Sequence, residues 1–211
     1  MFRDIRREII RDLAWKYVKE ESMVPSNRTG TRTRTGTYKY QTGPSQSAQK
    51  YTTTPADDIS KVSDEIHEYM KRPIPSDIPL DKRRQIMRGW MMAENAVIMH
   101  DTLKGDPTIQ HPEILTTRDN TGLRGVASVS MTTLLHEYGD TRPTMMIHFI
   151  GALGTGQGVG TDLLRSALAW GKQHGAIRCI LDSRPDAAEF YLKNGFKDDP
   201  ETGGMVYEYQ H

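Results

Sequence analysis

The hydrophobic and polar positions divide the chain into stretches of different period. Phe2, Ile5, Ile9, Leu13 and Tyr17 recur at helical spacing, and Ile10, Ala14 and Val18 widen the stripe. An apolar face with that repeat predicts an amphipathic helix ending near Glu21. From Pro25 to Pro55 the period vanishes. The segment is rich in Thr, Gly, Ser and Gln and almost free of aliphatic residues, so it cannot bury enough surface to fold alone. Helical spacing resumes through Ile59, Val62, Ile66 and Tyr69, and "RPIPSDIP" breaks it with three prolines. A long helix is predicted next, over "KRRQIMRGWMMAENAVIMHDTLKG", with Asp81 as its cap and Gly105 as its stop. Ile86, Trp90, Ala93, Ala96, Val97 and Ile98 form its apolar side, and Met87, Met91, Met92 and Met99 read as core filling, with an adaptable binding surface as the alternative.

From Glu113 the period drops to two. "EILTT" and "LRGVASVSMTT" flank "RDNTG", the pattern of a hairpin, and "TMMIHFIGAL" is a further strand. A glycine-rich turn and a helix from about Val159 to His174 follow. "IRCILDS" is short and mainly apolar, as a strand covered on both faces should be. "DAAEFYLKN" predicts a helix stopped at Gly195, and "GMVYEYQ" a closing strand. The predicted order of this half is β-β-β-α-β-α-β.

Composition narrows the functional classes. The chain has 211 residues, of which 36% are hydrophobic and 26% charged, with a formal net charge of +1. No global field therefore argues for nucleic acid or an anionic membrane. No apolar run approaches the roughly 20 residues that span a bilayer, and the charged N-terminus lacks a signal-peptide core; no membrane association is expected. Cys179 is the one cysteine, which excludes an internal disulfide framework, and no Cys/His spacing suggests a metal site. A cytoplasmic location is the default expectation. One local exception to the charge balance is residues 25–55, where Arg28, Arg32, Arg34, Lys39 and Lys50 stand without an acidic residue and Tyr38, Tyr40 and Tyr51 are interleaved. That pattern suits an arm on a protein or anionic partner, and equally a solvated linker.

The chemistry concentrates in "IGALGTGQGVGTDLLRSAL". Five glycines fall between Ile150 and Gly160, directly ahead of an amphipathic helix. A helix N-terminus presents unpaired N–H groups and a dipole that favours anions. Gly156, Gly158 and Gly160 carry no side chain to keep a phosphate from those amides, so a pyrophosphate-bearing ligand is the natural occupant. There is no Gly-Lys-Ser/Thr of a P-loop. The strand before the loop follows a hairpin rather than opening a βαβ unit, unlike a dinucleotide fold.

With "TGQGVG" (Thr155 to Gly160) and, about thirty residues on, "FYLKNGF" (Phe190 to Phe196), residues 112–211 resemble the GNAT superfamily of N-acetyltransferases. The resemblance implies an α/β (α+β) fold, a mixed and mostly antiparallel sheet flanked by helices. An N-terminal helix and arm (1–55) and a helical segment packing on the core (56–111) precede an acyl-CoA-binding core (112–211). It implies acetyl-CoA as co-substrate, its pantetheine along the backbone of Phe149, Ile150 and Ala152. The pyrophosphate would lie on the amides of Gly156, Gln157, Gly158, Gly160 and Thr161. Tyr191 matches the family tyrosine that protonates the departing thiolate. For a base, the strand offers Thr144, Met146 and His148 on one parity, of which only His148 titrates near neutral pH; His136 and Glu137 are fallbacks. Two positions depart from the family pattern: Thr155 stands where Arg or Gln is usual, and Arg184 where an asparagine often contacts pantetheine.

The implied activity is acetyl transfer to a primary amine by direct attack in a ternary complex, with the acceptor's identity open. A competing expectation is a catalytically silent GNAT-fold assembly protein, such as a phage virion component, anchored through its arm in a homo-oligomer or larger assembly. A nucleic-acid-binding module using the arm is a third.

Overall fold

The structure is a computed structural model and describes residues 51–135, 141–154, 158–199 and 203–210. The predicted N-terminal helix, nearly all of the arm, the fallback bases His136 and Glu137, and the loop residues Thr155, Gly156 and Gln157 lie outside the described residues.

In chain order the elements are β1 (Thr52–Pro55), α1 (Ile59–Met70), α2 (Leu80–Leu103), β2 (Ile109–Asp119), β3 (Gly122–Leu135), β4 (Thr141–Ala152), α3 (Val159–Gln173), β5 (Arg178–Leu181), α4 (Ala188–Lys193), β6 (Lys197–Asp198) and β7 (Met205–Glu208). The strands form one sheet in the order β1-β2-β3-β4-β5-β7-β6. Every neighbouring pair is antiparallel except β4 and β5, which α3 connects as a crossover. This is the mixed, mostly antiparallel sheet flanked by helices that the motif resemblance implies.

Local chemistry explains most boundaries. Asp58 caps α1 by accepting from Lys61 N at 3.1 Å. The β2–β3 hairpin turns on Asn120 and Thr121; Asp119 Oδ1 accepts from Thr121 N at 2.8 Å and from its hydroxyl at 2.7 Å, and Gly122 takes φ 123°. α2 starts two residues earlier than expected, behind Pro79, so Asp81 lies in its first turn instead of capping it. Arg83 holds the preceding loop by donating to Ile78 O at 2.6 Å and to Ser76 O.

Three sequence expectations need correction. Thr52–Pro55, read as the end of the arm, pairs with β2 as an edge strand. Tyr51 beside it is 3% exposed, so it cannot stack on a partner. A short β6, absent from the predicted order, precedes β7 and forms a hairpin with it. Pairing with a distant strand decided both strand assignments, and neither segment has enough alternation to announce itself.

Each face of the sheet has its own core. Leu163, Leu164, Ala167 and Trp170 of α3 pack on Val129, Met131, Met145 and Ile147. On the other face Val62 and Ile66 of α1 and Trp90, Ala93, Ala96 and Val97 of α2 cover Ile114, Leu123 and Val126. α2 lies unusually close to β4. A Cβ on Gly89 would stand 2.0 Å from Ala152 O, and one on Gly151 would stand 2.4 Å from Ala93 N. Small residues on both sides let backbone meet backbone, which sets the depth at which α2 borders the site.

Candidate active site

β4 is paired with β3 along its whole length, Thr141 to Ala152, but with β5 only from Thr144 to Ile147. β5 ends because "DSRP" follows Leu181, and its turn formers and proline cannot continue a ladder. Beyond Ile147 the edge of β4 facing β5 is therefore open. A cleft of about 670 Å³ occupies that gap, bounded by α2, β4, the end of β5 and α4. His148, Phe149, Ile150 and Ala152 of β4 line it, together with Gly160 of α3 and Tyr191 of α4. Six of the residues expected from sequence thus meet in one cavity. Gly158 and Thr161 sit at the start of α3 and are not part of its lining.

A bulge shapes this edge. Val129 pairs with Ile147 and Ser128 with Phe149, leaving His148 as the extra residue of β4. Strict alternation would put Ile147 and Phe149 on one face. Instead Ile147 belongs to the α3-side core, Phe149 packs on the α1/α2-side core, and Ile150 returns to the α3 side. The alternation that places Thr144, Met146 and His148 on one parity consequently ends at His148.

Gly158 is the N-cap of α3 with φ 79°, a left-handed conformation that favours glycine. A Cβ there would meet nothing within 4 Å. The first helical hydrogen bond runs from Asp162 N to Gly158 O at 3.0 Å. The amides of Val159, Gly160 and Thr161 thus precede the ladder and have no helical acceptor.

Burial governs the titratable groups. Tyr191 is 7% exposed, and desolvation, with a smaller contribution from the neighbouring Cys179, pushes its phenol up to about 12. Phe190 and Phe196 hold its ring in edge contacts at 5.1 and 5.6 Å. Its hydroxyl makes no hydrogen bond among the described residues. Burial holds the His148 imidazole below its usual range, favouring the neutral ring. The Nε2 atom of His148 lies 2.8 Å from Ser130 Oγ. Cys179 is fully buried and its thiol is raised well above the usual range by desolvation, so it is no nucleophile.

Sequence reading missed several wall residues. Met91 and Met92 are half-buried cleft residues and Met87 is 37% exposed, so these three are not the core filling expected. At the rim Asp186 binds Arg88 of α2 at 2.5 Å and Arg184 at 3.2 Å. This ion-pair chain ties α2 to the segment after β5, and it employs the arginine that stands where the family often has asparagine. A glycine inside a long helix, Gly89, was the available signal for close approach.

Comparison with known proteins bears on the same region. Residues 118–196 match the model of the Acetyltransferase (GNAT) family. That segment is a GNAT-family domain. It covers β3, β4, the Gly158 turn, α3, β5 and α4, the elements that carry the cleft apart from its α2 wall. No curated protein sequence matches the chain. Among solved structures, a GNAT family acetyltransferase from Brucella melitensis, crystallised with acetyl-CoA, is similar to this chain. Its TM-score is 0.50 and identity 16%, over 76% of this chain and 89% of that one. A transcriptional regulator from Bacillus halodurans C-125 aligns with a TM-score of 0.47 and 20% identity, over 72% of this chain and 95% of its own. At such identities the likeness to the Brucella protein is one of fold. Among the described residues of the GNAT domain and its flanks, no helix is long and apolar enough to cross a membrane.

Proposed function

We propose that the chain is an acetyl-CoA-dependent N-acetyltransferase acting on a primary amine by direct attack in a ternary complex. The observation that carries this reading is the open edge of β4 running from the cleft to the left-handed Gly158 and the uncapped amides of α3. An extended amide-bearing tail fits the first feature, as an added strand would, and a diphosphate fits the second. The bulk of the contacts would be to backbone, so the departures at Thr155 and Arg184 remove side chains and leave the principal donors.

In this reading Phe149, Ile150 and Ala152 pair with pantetheine, and Gly158, Gly160 and Thr161, with Gly156 and Gln157 ahead of them, hold the pyrophosphate. The amine nitrogen attacks the thioester carbonyl carbon. The C–N bond forms, the C–S bond breaks, the amine loses one proton and the thiolate gains one. Tyr191 gives the thiolate its proton: a phenol raised by burial stays protonated at working pH and is recharged from solvent. Holding amine and thioester together supplies much of the acceleration. His148 borders the reacting end, and its role depends on which ring nitrogen carries the proton.

Calorimetric titration of acetyl-CoA into the chain tests the reading. Saturable heat is expected for the wild type and for Gly158→Ala, and none for Gly158→Glu. The alanine and glutamate variants share a backbone strain of about 1–2 kcal/mol, but only glutamate adds bulk and negative charge at the amides. No heat from wild-type protein at large ligand excess overturns the proposal. Thiol release with a panel of primary amines then identifies the acceptor.

A further inference from the structure

The hydrogen bond between His148 and Ser130 fixes more than the position of the ring. Ser130 is fully buried, and the His148 ring is its one hydrogen-bond partner among the described residues, Oγ to Nε2 at 2.8 Å. A hydroxyl has one hydrogen to place, whereas a neutral imidazole has one N–H and one lone pair. If Nε2–H donated to Ser130, the serine hydrogen would be buried without an acceptor, and an orphaned buried donor is costly. No second acceptor for it is present among the described residues, where His148 is the one partner of Ser130. If Ser130 donates to Nε2 instead, both groups are satisfied and the imidazole proton must reside on Nδ1. That nitrogen makes no hydrogen bond among the described residues, yet it is not among the sealed-off atoms that lack one, and the ring lines the cleft.

We infer that Ser130 is a positioning residue that locks His148 as the Nδ1–H tautomer, so that His148 offers the cleft a hydrogen-bond donor and not a base. The consequence for chemistry rests on the acetyl-transfer reading. An Nδ1–H suits a carbonyl oxygen gaining negative charge, and it cannot accept the amine proton, which then leaves through water. The bulge at His148 is what aims the ring there, since it takes this residue out of the β3–β4 register. The charged groups lining the same cleft, Asp81 and Arg88 of α2 and Asp182, Arg184 and Asp186 after β5, make no hydrogen bond to the ring that competes with Ser130.

The test is long-range ¹H–¹⁵N correlation of the imidazole in the full chain without acetyl-CoA, which separates it from failure of the acetyl-transfer reading. The wild type is expected to show a protonated Nδ1 and a bare Nε2, and Ser130→Ala to move the population towards Nε2–H. A wild-type ring protonated on Nε2, or a pattern indifferent to Ser130→Ala, overturns the inference. Where turnover is measurable, His148→Asn, which places an amide N–H near the Nδ1 position, should keep kcat within about tenfold. His148→Ala should lose on the order of 10²-fold, the cost of removing one oxyanion donor. An acid limb in kcat/KM for the unprotonated amine that disappears in His148→Asn would mark a base and sink the donor role.

Discussion

Gly89→Ala sets two physical effects against each other. In an exposed helix the substitution stabilises by about 1 kcal/mol, because alanine is the better helix former. Here the new Cβ would lie 2.0 Å from the carbonyl oxygen of Ala152, where ordinary contact begins near 3.4 Å. The opposing atom is backbone, at the end of β4 where Ala152 pairs with Gly125 of β3, so no rotamer change relieves the overlap. α2 must back away from β4 by about 1.4 Å, the difference between those two separations. Overpacking of a well-filled interior costs about 1–3 kcal/mol, and a rigid partner puts this case at the upper end. The net expectation is a loss of about 2 kcal/mol, or about 4–8 °C in Tm for a chain of this size. Because Gly89 also lines the cleft, acetyl-CoA affinity should fall with stability. Urea and thermal melts followed by circular dichroism provide the assay. Gly175→Ala is the control: φ is 80° and no atom lies within 4 Å of its Cβ, so strain alone, about 1–2 kcal/mol, should appear without a change in affinity. A Gly89→Ala protein that melts at or above the wild type would refute the packing argument, leaving helix propensity in charge.

Two further expectations concern titratable side chains. Tyr191→Phe should lower kcat by about 10²-fold, the scale of a lost general acid, while leaving acetyl-CoA binding intact by calorimetry; a rate within twofold of wild type would remove Tyr191 from the mechanism. His100 is 2% exposed with neither ring nitrogen partnered among the described residues, and burial, then the nearby Lys104, holds its pKa below 6.5. The unfolded chain then binds the proton more readily than the folded one, so stability is fully present above about pH 6.5 and falls as pH drops below it. Urea midpoints measured from pH 7.5 down to about 5 should fall less steeply for His100→Leu, with the remaining slope partly that of His148, whose pKa burial lowers in the same sense. Parallel slopes for the two proteins would show that His100 does not titrate with unfolding.

The fold was largely legible because its signals are local. The 3.6-residue stripe of Ile59, Val62 and Ile66, the Asp-Asn-Thr-Gly turn, and the mainly apolar "IRCIL" run with its proline stop each follow from nearest neighbours along the chain. The site was legible in part for the same reason. Gly158, Gly160 and Tyr191 belong to contiguous motifs whose backbone demands can be read directly. Ser130 and Arg88 were not, since nothing in "SVSM" or "QIMRGW" points across to His148 or Asp186.

Sequence alone determined the described helices, most of the described strands, the glycine-rich approach to α3 and the resemblance that two spaced motifs carry, because periodicity and turn chemistry act over a few residues. Only the tertiary structure decided that β5 stops short of β4's end, that a bulge puts Ile147 and Phe149 on opposite faces, and that Met91 and Met92 border a cleft instead of filling a core. Those are outcomes of register and of helix-to-sheet distance. Both depend on the whole sheet at once, and a one-residue slip in pairing leaves the local pattern unchanged while sending every side chain to the opposite face.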